Sequence, residues 1–556
     1  MHDTSTTANI SASVFVRAAR ALRPHAPTWA LGIEQHASIR ALTKGSAVLA
    51  VTTPAVGPLA QGLARWAFLR RPLDPALTGH LAGLEDAHLP SRNLAAAMNG
   101  RLDAPEEAEA MNELLDAGEA AMTARHLLSR LHQPDQALGW LALGWDRLLR
   151  MGNADLPRSL LEATALGDDL APLVARLRAE WAALYLDPAD ALPQVEQLDP
   201  DLFGPWRDYL LAELALRCGD TERATAGLTE LWKTMAWHPQ LTLKLHALLH
   251  PTLTTTSDFS DVAVLLYSWN KAELLSATLQ AVAASDLRQA RVFVLDNGST
   301  DHMTEVIGQA KQLFPEGHFH SLTLPVNLGA PAARNWLLSL PEVRASRWAA
   351  FLDDDVELPG HWLVQLVSEA ERAELEGNPV DVVGCRVTSA RRPHTVQSAD
   401  YHLLPPNDSV KTFVDFAEKI MVFDNASNDF DLGLFGYCRP ATSVSGCCHL
   451  LSLAGVERCG TFDIRFSPTQ FDDLERDIRL GVAGLNVHYA GNLTIRHIQH
   501  SSLAKAQSLQ AVAHVFGNKI KLEGKYTMDE IRALSGRMLN RMNEDLSRKE
   551  DDLLAT

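Results

Sequence analysis

From residue 262 onward, short unbroken apolar runs alternate with stretches whose apolar residues fall at helical spacing, and few folds satisfy that rhythm. VAVLLYS (262–268) reads as a strand buried on both faces. Helically spaced NKAELLSATLQAVAAS follows, then strand-like RVFVLD (291–296), helical MTEVIGQAKQLF, strand-like FHSLTLP, helical PAARNWLLSL and strand-like RWAAFLDD. The series is βαβαβαβ and predicts a doubly wound α/β domain. Ligands of such sheets lie beyond the carboxyl ends of the strands. The polar residues Ser268, Asp296 and the Asp353–Asp355 cluster fall at those ends.

The sequence before residue 255 has a different character. From about residue 105, Ala, Leu, Glu and Arg recur with apolar spacing of three and four, which predicts successive helices. DYLLAELALRCGDTERATAGLTELWKTMAWHP reads as a helix, a break at Gly219-Asp220, and a second helix ending before Pro239. It resembles a tetratricopeptide unit, with small Ala224 at a close helix crossing and Ala191 about 33 residues earlier, one repeat length. A non-repetitive helical bundle is the competing reading. TLTTTSDFSD (252–261) has linker composition. The expected organisation is therefore a helical, unassigned region over 1–104 and a tetratricopeptide-like all-α region over 105–255. An α/β domain over 256–525 and a helical C-terminal tail over 526–556 follow.

The 556 residues exceed what one hydrophobic core holds. A net charge of -18 argues against a general nucleic-acid binder, although a local metal or a few arginines still suffice for a diphosphate. Six irregularly spaced cysteines form no disulfide framework and read as reduced thiols. The N-terminus lacks the pattern of a signal peptide, and GSAVLAVTTPAVGPLAQGLARWAFL, broken by two prolines, Gln61 and Arg65, is a poor membrane span. The expectation is a cytoplasmic protein, at most peripheral to the inner face of the membrane, with no transmembrane segment and no nucleic-acid partner.

Three motifs carry chemistry. In VLDNGSTD, Asp296 ends a strand on a tight turn, where its carboxylate can hold a base or ribose or simply close an Asx-turn. In NLGAPAARNW (327–336), Arg334 lies in the opening turns of a helix, an end already partly positive. An anion such as a phosphate would account for it, and so would a neighbouring carboxylate. In AFLDDDVELP (350–359), three consecutive aspartates end a buried strand and require compensation; a divalent ion beside phosphates is one solution and a solvated acidic loop is the other.

Taken in order, YSWN, VLDNGSTD, NLGAPAARN and FLDDDVELP resemble the glycosyltransferase family 2 with its GT-A fold, a Rossmann-like nucleotide-diphospho-sugar transferase domain. The later VSGCCHLLSLAGVERCGTFDIRFSPTQFDDLERDIRLGVAGLNVHYAGNLTIRHIQHSS resembles the acceptor-side segment of that family, and VFGNKIKLEGKY its closing region. The resemblance spans about residues 261 to 525. It implies an inverting, metal-dependent transfer of a sugar from a nucleotide diphosphate sugar to a glycan, lipid-linked or protein acceptor. Asp355 and His497 would hold Mg2+ or Mn2+, with a structural histidine as the other reading of His497. Asp353 would face the donor, Ser268 and Asp296 the base, and Arg334 the diphosphate or nearby acids, with Asn327 among the donor-binding residues. Asp473 would be the general base. The family commonly has Glu-Asp there, whereas this chain has Asp472-Asp473, so either carboxylate could serve. Asp354 would serve neither metal nor donor, and a His-x(3–4)-Ser element would run from His497 to Ser501 or Ser502. Loop 386–445, including RRPHTVQSADYHLLPPNDS, reads as a flexible lid or insertion. The helical N-terminal region would offer a surface to a protein partner. Two competing readings are a non-catalytic scaffold and a sugar nucleotidyltransferase; the latter would want a glycine-rich loop after the first strand, which YSWNKAEL lacks.

Overall fold

A computed structural model describes residues 12–164, 166–406, 419–426, 428–498 and 509–556. Among the described residues, the stretch 12–249 contains helices and no strand. Pro188–Glu196, Pro200–Arg217, Thr221–Met235 and Pro239–Leu249 follow one another across short turns, each packed on the next. Three of them open with proline, where the missing N–H is not needed. Gly219 turns the chain at φ +83°, and Asp220 caps the following helix by accepting the Arg223 N–H at 3.0 Å. Ala191 and Ala224 are both fully buried. Gly227 approaches the preceding helix so closely that an added Cβ would sit 3.3 Å from that of Ala212.

The strands are β1 Val262–Ser268, β2 Arg291–Asp296, β3 Phe319–Thr323, β4 Trp348–Leu352, β5 Val356–Glu357, β6 Val382–Ser389, β7 Val396–Ser398, β8 Tyr401–Leu404, β9 Met421–Asp424, β10 Cys438–Ala441, β11 Cys448–Ser452 and β12 Val487–His497. The main sheet runs β10-β12-β6-β11-β4-β1-β2-β3. Strands β3, β2, β1 and β4 are parallel, as the alternating pattern predicts. Beyond β4 the sheet is mixed: β11 lies antiparallel between β4 and β6, β12 is parallel to β6, and β10 is antiparallel at the edge. Residues of one strand alternate between two cores. Ala263 and Leu265 join the core that continues into the N-terminal helices, whereas Val262, Val264 and Leu266 pack on the other face.

Segment 386–445 is not the flexible lid expected from its polar composition, as far as its described residues go. It carries β7, β8, β9 and β10 and docks on the helical region. The guanidinium of Arg439, 1% exposed, donates to Asp400 Oδ2 at 2.6 Å and to the Ala30 carbonyl at 2.7 Å. Asn425 Nδ2 donates to the Leu31 carbonyl at 3.0 Å, and Tyr209 Oη to the Leu432 carbonyl at 2.7 Å. These polar side chains are spent on buried partners from a distant part of the chain, which local composition cannot reveal.

The C-terminal helix Met528–Ala555 starts with a capping box between Thr527 and Glu530 and reaches back across the molecule. It packs on Pro239–Leu249, on the turn Pro27–Leu31, and on β8 and β10. Near its end Glu550 pairs with Arg20 at 2.9 Å and with Arg23. All six cysteines are free thiols. Among the described residues, no helix is long and apolar enough to cross a membrane.

Two consequences can be measured. Asp400→Ala leaves the Arg439 charge buried without its carboxylate and is expected to destabilise the protein by about 3–5 kcal/mol in denaturant titrations. The second concerns His246, which stacks on His250 and contacts Asp552 at 3.0 Å. Burial, aided by Lys549, lowers its pKa to about 4 against the pull of Asp552. Above pH ~6.5 the ring is neutral in both folded and unfolded chains. As pH falls from there toward 4, the unfolded chain takes a proton that the folded one refuses, so stability declines. The expected loss is on the order of 1–2 kcal/mol after solvent screening, read from urea titrations at stepped pH, and His246→Gln should flatten part of the slope.

Candidate active site

The carboxyl ends of β1 and β4 meet the start of β11, the end of β12 and the first turn of the helix Asp472–Val482 around a cavity of about 740 Å³. Sheet pairing explains the convergence. Cys448 pairs with Leu352 across β11 and β4, so the next residues, Cys447 and Asp353, face each other past the strand end, and Asp353 N–H donates to the Cys447 carbonyl at 2.9 Å. The chain then turns into β5, which pairs with the end of β12, and Ile498 N–H donates to the Asp355 carbonyl at 2.9 Å. That register sets Asp355 beside His497, with Oδ1 3.0 Å from Nε2. His497 Nδ1 lies 2.9 Å from Gln397 Oε1.

The three aspartates have three different environments. Asp353 faces the cavity, 3.8 Å from the Arg334 guanidinium. Asp354 accepts the Ser268 hydroxyl at 2.6 Å and Lys271 Nζ at 2.9 Å. Burial raises its pKa to about 6; Lys271 opposes the rise and Asp355 adds to it. Asp355 Oδ2 accepts Lys271 Nζ at 3.1 Å. Burial also works against the Asp355 charge, but His497 and Lys271 outweigh it and bring its pKa to about 2. The contact with Asp355 and the charge of Asp353 raise the His497 pKa against its own burial and against Lys271.

Arg334, 5% exposed, donates to Asp472 Oδ2 at 2.6 Å and lies over the rings of Tyr267 and Phe462. The carboxylate reading of its position is therefore the one seen. Asp472 is fully engaged there, and burial raises its pKa while Arg334 opposes the rise. Asp473 is partly exposed to the cavity. Its Oδ2 accepts the Gly446 N–H at 2.9 Å and its Oδ1 the Leu474 N–H at 2.8 Å. A Cβ on Gly446 would lie 2.9 Å from Asp473 Oδ2 and 3.0 Å from Arg334 Nη2, so a larger residue there would displace the ends of both side chains. Gln470 and Phe471 precede the helix at φ +83° and +70°, a strained region for residues with side chains.

Ser268, Asn327, Arg334, Asp353, Asp355, Asp473 and His497 all line the cavity. Asp296 is 2% exposed and closes an Asx-turn by accepting the Ser299 N–H at 2.8 Å; its neighbour Asn297 lines the cavity instead and donates to Asn327 Oδ1 at 2.9 Å. Ser268 is directed at Asp354. Ser501 and Ser502 lie outside the described residues. Lys271, Asn297 and Cys447 escaped the sequence reading. For Lys271 a signal existed: it precedes the helix Ala272–Ala283, where a cation is as misplaced as Arg334 is on its own helix.

Residues 260–511 match the model described as "Glycosyltransferase like family 2". This stretch is a family 2-like glycosyltransferase domain. With the parallel half-sheet extended by antiparallel strands, it has the GT-A architecture expected from its motifs. No curated protein sequence matches the chain. Similar solved structures include mannosyltransferase PcManGT from Pyrobaculum calidifontis in complex with GDP-Man and Mn2+, at 14% identity and TM-score 0.33, covering 62% of this chain and 86% of that one. GalNAc-T7 with UDP, GalNAc and Mn2+ is similar at 11% identity and TM-score 0.34, covering 42% of each chain. S. aureus TarS is similar at 12% identity and TM-score 0.31, covering 48% of this chain and 44% of its own.

Among the described residues, the carboxylates of Asp353, Asp354, Asp355, Asp472 and Asp473 meet only two permanent cations in the cavity, Lys271 and Arg334. Lys271→Ala is expected to lower the thermal midpoint in the presence of a chelator, by about 1 °C for each ~1 kcal/mol lost in a cooperative unit of this length. Mn2+ should then raise the midpoint of the variant by more than it raises that of the unaltered chain. Fluorimetric melting with and without EDTA checks both.

Proposed function

We propose that the chain is a metal-dependent, inverting glycosyltransferase that moves a sugar from a nucleotide diphosphate sugar to a glycan, lipid-linked or protein acceptor. The observation that carries this reading is one cavity with two opposed functions on its walls: Asp353, Asp355 and His497 on one side, and on the other Asp473, which has no cation within ion-pairing distance among the described residues.

The donor set suits a divalent ion. Asp355 Oδ1 is buried and accepts no hydrogen bond of proper geometry, and the acids outnumber the permanent cations. Asp355 and His497 would hold Mg2+ or Mn2+, with Asp353 turned to the donor. The ion, when bound, supplies electrostatic stabilisation of the leaving diphosphate. Lys271 keeps Asp354 and Asp355 in place, and the Ser268 hydroxyl fixes Asp354. Asn297 and Asn327, locked to each other, line the donor side. Arg334 is committed to Asp472, which leaves Asp473 as the base: the Gly446 N–H orients its Oδ2, and that oxygen keeps a lone pair for the acceptor hydroxyl proton. One base and direct displacement give inversion at the anomeric carbon.

The consecutive helices from Pro188 to Leu249 are taken as tetratricopeptide-like, with a protein partner or acceptor as their occupant. The free thiols support a cytoplasmic location, at most peripheral to the membrane.

A panel of UDP-, GDP-, CDP- and dTDP-sugars with Mn2+ or EDTA tests the reading by thermal shift and hydrolysis. One donor should stabilise the chain only with metal. Asp355→Ala should abolish that stabilisation. Asp473→Asn should retain it and lower turnover by about 10²–10⁴-fold. Metal-independent turnover, or full activity in Asp473→Asn, overturns the assignment; no nucleotide binding at all leaves the scaffold.

A further inference from the structure

The Cys447 thiol is unexplained by the carboxylate chemistry around it. It lies on the cavity wall at the mouth of β11, directly across from Asp353, and it is partly exposed. Donor atoms of Asp353, Cys447 and His497 all lie within 4.8 Å of one another. Two ligands on a single ion, with bonds of about 2.0–2.6 Å, fall within about 4–5 Å of each other, so these three can share one ion. Among the described residues this is the one such trio of histidine, cysteine and acid side chains. A second observation points to the same place: Asp355 Oδ1, in a residue 2% exposed, accepts no hydrogen bond of proper geometry although His497 Nε2 lies 3.0 Å away. This poorly hydrogen-bonded oxygen and the trio meet at one histidine.

We propose that Cys447 is a ligand of the active-site metal through its sulfur, beside the Asp355 and His497 already assigned to it, with Asp353 turned from the donor to the ion, so that the centre is a mixed oxygen, nitrogen and sulfur site. The inference rests on the metal-dependent reading above and goes beyond it. On coordination the S–H proton leaves to solvent and the sulfur lone pair forms the bond to the metal, with no change of oxidation state. An all-oxygen site suits Mg2+ and Mn2+, whereas one sulfur and one imidazole move preference toward softer ions such as Co2+ and Zn2+. The pairing of β11 with β4 is what delivers the sulfur. In that register Cys447, not the buried Cys448, falls opposite Asp353.

Co2+ reports on its own ligands. Titrating Co2+ into the full, chelator-treated chain should produce the near-ultraviolet sulfur-to-cobalt charge-transfer band. Cys447→Ser should lose the band, and Cys218→Ser, which alters an exposed thiol far along the chain, should keep it. The same Cys447→Ser substitution should weaken Co2+ binding relative to Mg2+ by at least the ~10–100-fold that loss of a supporting partner costs a metal site. X-ray absorption at the cobalt edge of the unaltered chain gives a reading independent of any variant, and a sulfur scatterer is expected in the first shell. Co2+ binding with no charge-transfer band and no sulfur scatterer overturns the Cys447 assignment while leaving metal-dependent nucleotide binding intact. Absence of any Mn2+ or Co2+ binding by calorimetry overturns both this assignment and the metal-dependent reading.

Discussion

A strand buried on both faces cannot end in three carboxylates unless opposite charge is brought to its tip, and much of the site follows from how that requirement is met. Lys271 bridges Asp354 and Asp355, His497 flanks Asp355, and Arg334 stands between Asp353 and Asp472. Each cation comes from a different element: the turn after β1, the end of β12, and the helix that follows β3. The same contacts that make the acidic cluster tolerable also fix the walls of the cavity. The compensation is incomplete, and an incompletely neutralised pocket attracts a cation.

The parallel half of the fold was legible because β1, β2 and β4 are buried on both faces and helices separate the strands, so composition and period agree. Residues at the strand ends were legible for the same reason, since the topology alone puts them on one side. The mixed half was not. Strands β10, β11 and β12 owe their positions to long-range pairing, and the register that opposes Cys447 to Asp353 leaves no mark on local spacing. Asn297 was hidden behind Asp296: both end the same strand, and the carboxylate drew attention that the geometry gives to the amide.

Segment 386–445 shows the opposite error. Its Asp, Asn, Arg and His residues resemble those of a solvated loop, yet Asp400, Asn425 and Arg439 are buried in a polar network against the first helices. Polarity measures a need for partners. It says nothing about whether water or protein supplies them. The network is also where the two compositional halves of the chain become one object, since its acceptors, the carbonyls of Ala30 and Leu31, belong to the far N-terminal end.

The final helix extends that continuity. Its last turns are tied to Arg20 and Arg23, and its body covers sheet strands and early helices alike. The stretch that carries the family pattern, 260–511, therefore stops short of the chain that gives it a complete interior on that face. What evolution passes on as a module and what folds as a cooperative unit are here different lengths of polypeptide. An enzyme excised at the borders of its family would leave behind part of the hydrophobic surface that holds its own sheet in place.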